Sequence, residues 1–382
     1  MRIVILTNTP YSRRDEKRFG ILYFHQKKID ITVLDITKYI NKNYDININD
    51  KSVNTSIVFY FDSLKKIKMF FFKNRDSIVI SYIGDKTFQA YRLYHFLYSN
   101  NIIFGRIIFG SIPFSSNSLE NWIKRISLQK IYRTIKYLFA RVIYKNFFYS
   151  FLHISCMNNL KNLGIHFDKN STNIIRGHTL DYDLYLEIDH PKRIFDFEYA
   201  VFIDQYIPFH PDAKLRGENY KHITNDYYNK LNTLFNKIEK QTGLKIIIAA
   251  HPISRKEDND KYWKERDCIN GETMSLIRYS KLCITHYSTA INFAILYNKP
   301  ILFVYMNYAF GKYVKTLAKV LSNTNDNIIN VDYPNLNNLF AIDQKKYDAY
   351  KSEYIQLSSE EKNNWELFIN DKFISEKLHE RR

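Results

Sequence analysis

Short β-branched apolar runs alternate along this chain with longer stretches of helical period. Arg2–Leu6 (RIVIL) predicts a buried strand, Asn8–Pro10 a loop, Glu16–Lys27 a helix and Ile31–Asp35 (ITVLD) a second strand. Strand, loop, helix, strand is the opening of a Rossmann-like unit. Ser56–Phe61, Ser77–Tyr82 and Ile102–Phe109 predict further strands, and Phe88–Ser99 a helix. The GxGxxG fingerprint is absent, so the first half shows no dinucleotide site. The rhythm then resumes. Tyr199–Ile203 predicts a strand, and Asn219–Thr242 a long helix stopped at Gly243. Lys245–Ala250 (KIIIAA), Leu282–Thr285 and Pro300–Tyr305 (PILFVY) read as buried strands, with helices over Thr273–Ser280 and Thr289–Tyr297. Ser358-Ser359-Glu360-Glu361 predicts the start of a last helix reaching about Phe368. The pattern gives an α/β protein: a Rossmann-like domain over 1–185, a second over 186–355, and a closing helical segment over 356–382 that can return to the first.

Length agrees, since 382 residues suffice for two domains at about 100–200 residues each. The 45% hydrophobic and 25% charged fractions exclude wholesale disorder. No apolar run is long enough for a spanning helix, and MRIVILTNTP carries no signal-peptide stretch, so a cytoplasmic protein is expected. Cys156, Cys268 and Cys283 are odd in number and far apart, which fits a reducing compartment. With no CxxC or HExxH, no zinc site is expected. The 31 Tyr and 28 Phe accompany abundant Ile, Lys and Asn, so a biased composition accounts for them without a stacking site.

Charge changes the picture more. The net charge is +17, but residues 1–170 hold 27 basic and 11 acidic residues, and residues 171–382 hold 29 and 28. Part of the excess lies in Asn121–Ser150. There Lys124, Arg125, Lys130, Arg133, Lys136, Arg141 and Lys145 meet no acid, and Trp122, Ile126, Ile131, Ile135, Leu138, Phe139 and Val142 recur at helical spacing. A basic amphipathic helix of this kind reads either as a membrane-surface element or as an ordinary domain helix. No helix-turn-helix, RNP-like or zinc-finger pattern supports nucleic acid.

Candidate chemistry sits where strands end. His251-Pro252 follows the KIIIAA strand, where open α/β sheets bind ligands, and His251 is a candidate catalytic residue that can donate to a phosphate or protonate a leaving oxygen. Ser288 and Thr289 follow the next strand at a helix start suited to phosphate, with His286 just before them. Asp204 ends the Tyr199–Ile203 strand as a candidate base, and Gln205, His210 and Asp212 after it are candidate substrate contacts. Arg176 and Asp181 crowd the boundary between the halves, where Arg176 could pair with a carboxylate or phosphate.

These features together resemble bacterial glycosyltransferases of the GT-B fold, most of all sialyltransferase-type enzymes that use CMP-activated nonulosonic acids or Kdo. Arg18-Phe19-Gly20 to Leu34-Asp35 and the DYDLYL run at Asp181–Leu186 are similar to surface-polysaccharide biosynthesis proteins. The resemblance implies two Rossmann-like domains facing a cleft. His251, Pro252, His286, Ser288, Thr289 and Glu272 would contact the nucleotide, and Asp204 would be the base. The family pairs two acids before a glycine, whereas this chain has Ile203-Asp204-Gln205. The resemblance further implies an inverting, metal-independent transferase without a cofactor. It would take a nucleotide-sugar donor and a glycan or lipid-linked glycan acceptor, at the inner face of an anionic membrane. The Thr285–Leu302 stretch also resembles glycerophosphotransferases and 2-epimerases, so those activities stand as alternatives. A non-enzymatic protein binding a membrane surface or nucleic acid is a third.

Overall fold

A computed structural model of the chain describes residues 2–42, 56–84, 87–108, 128–144, 147–155, 167–188, 191–210, 220–306, 311–322, 327–357 and 362–379. They form two compact units. One gathers residues 2–108, 128–180 and 362–379, and the other gathers 181–357. Each is built on one parallel sheet.

The first sheet has seven strands: β1 Arg2–Thr7, β2 Asp30–Asp35, β3 Val58–Tyr60, β4 Ser77–Ser81, β5 Ile103–Ile108, β6 Phe151–Ser155 and β7 Asn173–Gly177. Their order is β3-β2-β1-β4-β5-β6-β7. The period-two alternation of side chains divides each strand between two cores. Ile3, Ile5, Val33, Ile78 and Ile80 pack with Phe19 and Phe24 on one face. Val4, Leu6, Val79 and Phe104 pack with Ile67, Phe71, Tyr91 and Tyr94 on the other. Burial on both faces explains why these strands are almost wholly apolar. The expected Glu16–Lys27 helix is two short ones, Arg13–Arg18 and Ile21–Gln26, broken at Phe19-Gly20.

The second sheet has six strands: β8 Tyr199–Ile203, β9 Lys245–Ala250, β10 Cys268–Asn270, β11 Leu282–Thr285, β12 Ile301–Tyr305 and β13 Ile328–Asn330. Their order is β10-β9-β8-β11-β12-β13. The Thr224–Thr242 helix lays Tyr227, Leu231, Leu234 and Phe235 against Ala200, Phe202 and Ile248. It stops where expected. Gly243 takes a left-handed φ of 73°, and its N–H reaches the Glu239 carbonyl at 2.9 Å. The order of the sheet reverses between β8 and β11, the switch point beyond which such sheets hold ligands.

Strands β6, β7, β10 and β13 add to the elements read from the sequence. The last segment forms two helices in the first unit, Asn364–Asn370 and Lys372–His379, and buries Trp365, Phe368 and Ile374 there. Its cap is Asn363, whose side chain accepts from the Glu366 N–H at 2.9 Å. The Ser358–Glu361 cap lies outside the described residues. Of the Asn121–Ser150 stretch, the structure describes a helix over Leu128–Ile143; Trp122, Lys124, Arg125, Ile126 and Lys145 lie outside the described residues. Among the described residues no helix is long and apolar enough to cross a membrane.

Candidate functional site

Three adjacent strands of the second sheet bring most of the expected residues to one edge. Asp204, Gln205 and His210 follow β8, His251 and Pro252 follow β9, and His286, Ser288 and Thr289 follow β11. Glu272 follows β10, one strand further out, and Asp181 belongs to the same unit. Arg176 stands on β7 in the other unit.

The loop after β9 is a tight turn. Ser254 N–H donates to the His251 carbonyl at 2.8 Å. The Ile253 N–H donates to His251 Nδ1 at 3.3 Å, which makes Nδ1 the acceptor and leaves the ring hydrogen on Nε2. The ring is half-buried and meets His210 edge to face, with centroids 5.1 Å apart. The turn thus engages Nδ1 and assigns the donor role to Nε2.

The loop after β11 is held from the loop after β8. Gln205 Oε1 accepts from the Tyr287 N–H at 2.7 Å, and its Nε2 donates to the Tyr287 carbonyl. Both ends of one carboxamide are spent on the backbone of one residue, Tyr287, across the switch point. Gln205 is thus a clamp that sets the Ser288 turn. Within that turn the Ser288 hydroxyl oxygen accepts from the Ala290 N–H at 3.2 Å, which leaves its O–H to donate. The helix begins at Ile291, two residues later than expected, and Thr289 is exposed before it. Asn292 on that helix donates to Asp181 at 2.8 Å, so Asp181 positions the helix.

His286 is engaged inside the core on both ring nitrogens. It is buried, with Nδ1 donating to the Val304 carbonyl at 2.6 Å and Nε2 accepting from the Tyr227 hydroxyl at 3.0 Å. Burial pushes its pKa down to about 4, so it is a neutral core histidine. Glu272 is exposed and accepts from the Ser275 hydroxyl at 2.9 Å, the geometry of a helix start.

Asp204, the candidate base, is buried, as His286 is. A general base must reach its substrate's proton, yet this carboxyl is only 3% exposed. Its Oδ1 accepts from the Tyr206 N–H at 2.9 Å. The Trp263 indole lies close enough to favour the carboxylate but makes no hydrogen bond of normal geometry with it. Burial outweighs these donors and pushes the pKa up to about 6. The turn it caps holds Tyr206 left-handed, at φ 51° and ψ 39°, a conformation that disfavours a bulky residue by roughly 1–2 kcal/mol. The Tyr206 hydroxyl anchors the strained turn by donating to Asp258, which Arg255 also grips at 2.9 Å. Tyr206, Asp258, Trp263 and Tyr227 are absent from the sequence-based site because nothing local marks them. Asp212 lies outside the described residues.

The raised Asp204 pKa makes a stability prediction. An unfolded aspartate titrates near 4, so the folded chain holds this proton more tightly. The associated stability is complete below about pH 4 and is lost as pH rises through about 6. Asp204→Asn is expected to reduce the stability difference between about pH 5 and pH 8 by roughly 1.5 kcal/mol. Urea unfolding at the two pH values checks this, and parallel behaviour of both proteins would show that the group titrates normally.

Among the described residues no group of three or more His, Cys, Asp or Glu side chains could hold a metal ion. No protein-family model matches the chain, and no curated protein matches its sequence significantly. Solved structures do match in fold. A protein from Listeria monocytogenes assigned as a UDP-N-acetylglucosamine 2-epimerase superposes with a TM-score of 0.50 at 10% identity, over 100% of this chain and 97% of its own. The wall teichoic acid polymerase TagF gives 0.47 at 11%, over 100% and 89%. Phytolacca americana UGT2 gives 0.46 at 10%, over 99% and 98%. Identities this low speak to architecture alone. The α/β fold of two Rossmann-like units expected for GT-B proteins is the fold of this chain.

Proposed function

We propose that the protein is a glycosyltransferase that binds its nucleotide-sugar donor on the second unit, at the carboxyl ends of β8, β9 and β11. One observation carries this reading: the loops at the switch point are built to fixed positions and present hydrogen-bond donors. Gln205 locks the Ser288 turn, Asp204 and Asp258 lock the strained Tyr206 turn, and His251 keeps its hydrogen on Nε2. Such preorganised donors suit an anionic leaving group, whose charge grows as the glycosidic bond to phosphate breaks. In this reading His251 Nε2–H and the Ser288 hydroxyl donate to the departing phosphate. Asp204 acts through the loop it caps. The donor is a CMP-linked nonulosonic acid or Kdo, and the acceptor is a surface glycan or its lipid-linked precursor.

A thermal-shift series with CMP, CDP, UDP and GDP tests it. A ligand bound only by the folded state stabilises by about 2.7 kcal/mol at a hundredfold excess over its Kd. CMP is expected to raise the midpoint most. A larger shift with CDP or UDP would replace the donor class by a polyol-phosphate or UDP-sugar donor. No shift with any of the four would remove the nucleotide reading.

A further inference from the structure

The Leu128–Ile143 helix packs the wrong way round for a domain helix. Its inward side is narrow: Ala140 is 0% exposed, and Tyr137 and Tyr144 meet Tyr91, Phe88 and His95 of the Phe88–Ser99 helix. Its broad apolar stripe faces solvent instead. Tyr132, Ile135, Leu138, Phe139, Val142 and Ile143 fall on one side at i, i+3, i+4 and i+7 spacing, from 49% exposed at Ile143 to 70% at Val142. Lys136 and Arg141, both exposed, flank the stripe on its two sides, with Lys136 Nζ 4.4 Å from the Tyr132 ring centroid. Folding alone leaves an apolar stripe of this kind unfavourably in water.

The neighbouring surface has the same character. The Leu64–Lys73 helix joins the same core through Ile67 and Phe71, and leaves Met69 and Phe72 exposed among Lys65, Lys66 and Lys73. Its Phe72 ring lies 5.8 Å from Phe96 of the Phe88–Ser99 helix. These three helices carry nine Lys or Arg and no Asp or Glu. A second copy of the chain would bring the same positive charge against itself. An anionic lipid headgroup layer matches both the charge and the exposed aromatic and aliphatic side chains.

We infer that this helical face of the first unit docks the protein on an anionic bilayer, with Ile135, Leu138, Phe139 and Val142 entering the interface and Lys136 and Arg141 meeting the headgroups. The inference goes beyond the reaction proposed above and does not depend on it. The full chain is expected to sediment with vesicles of phosphatidylcholine containing phosphatidylglycerol and to stay in solution with phosphatidylcholine alone. K136E/R141E is expected to weaken binding by at least about tenfold, and F139S/V142S by a similar factor. Both keep the wild-type thermal midpoint, because the four side chains are exposed. Equal binding to neutral vesicles, or unchanged binding by either variant, overturns the proposal. So does a dimer in sedimentation velocity that F139S/V142S turns into a monomer, which would assign the face to a second copy. The nucleotide shifts above are measured without vesicles, so either reading can fail alone.

Discussion

Replacing His251 by alanine is expected to lower turnover by roughly two to three orders of magnitude and to leave the thermal midpoint unchanged. The size comes from the assigned role. Removing one preorganised donor from a site of developing negative charge takes away an interaction that strengthens in the transition state. The stability expectation comes from the geometry: the ring is half-buried, and its Nδ1 contact to Ile253 N–H is long, at 3.3 Å. His251→Gln separates two ways in which the residue could act. A glutamine amide keeps a neutral donor but cannot pass on a proton. Partial recovery in His251→Gln points to donation to the phosphate, and no recovery points to proton transfer to the leaving oxygen. Steady-state turnover at saturating donor is the measurement, and near-normal rates in His251→Ala would sink the role altogether.

Legibility in the sequence tracks how local each determinant is. RIVIL, KIIIAA and PILFVY announce β1, β9 and β12, because a strand buried on both faces needs an unbroken apolar run. In β6 and β7 the runs are interrupted, by His153 in FLHIS and Arg176 in NIIRG, and their spacing alone does not declare a strand. At the edges, β10 and β13 are three residues long, too short for any period. The site divides in the same way. His251, Gln205 and Ser288 are legible as positions because they follow strands. Their roles are not, since Gln205 is spent on the backbone of a residue 82 positions away and His286 on Tyr227 59 residues away. Asp204 shows the sharper limit, because a carboxylate after a strand looks the same in sequence whether it faces substrate or caps a turn. The basic helix shows a third. Its stripe is visible as a pattern, but which way it faces depends on Tyr137 and Ala140 finding the Phe88–Ser99 helix.

Truncating Asn364 is expected to be among the most destabilising single changes in the first unit. Asn364 is fully buried, and its carboxamide pairs with the backbone N–H and C=O of one residue, as Gln205 does in the second unit. Oδ1 accepts from the His178 N–H at 2.7 Å, and Nδ2 donates to the His178 carbonyl at 3.1 Å, 186 residues away in sequence. The pair ties the Asn364–Asn370 helix to the end of β7. Asn364→Ala strips both bonds from buried groups, each worth about 1–3 kcal/mol when left unmade, so a loss of roughly 2–5 kcal/mol is expected. Gly177 is what lets the carboxamide come so close. A Cβ there would stand 2.2 Å from Asn364 Oδ1 and 2.7 Å from His153 Nε2. Gly177→Ala alone therefore forces the carboxamide off the His178 backbone, at a further cost of overpacking. In the double variant the first of these clashes is gone. The two changes are expected to be non-additive, with the double variant more stable than the sum of the single losses by about 1 kcal/mol or more. Urea unfolding of the four proteins measures the coupling. Strict additivity would mean that the glycine is needed only for His153, and that the Asn364–His178 pairing does not set how closely the last helices approach β7.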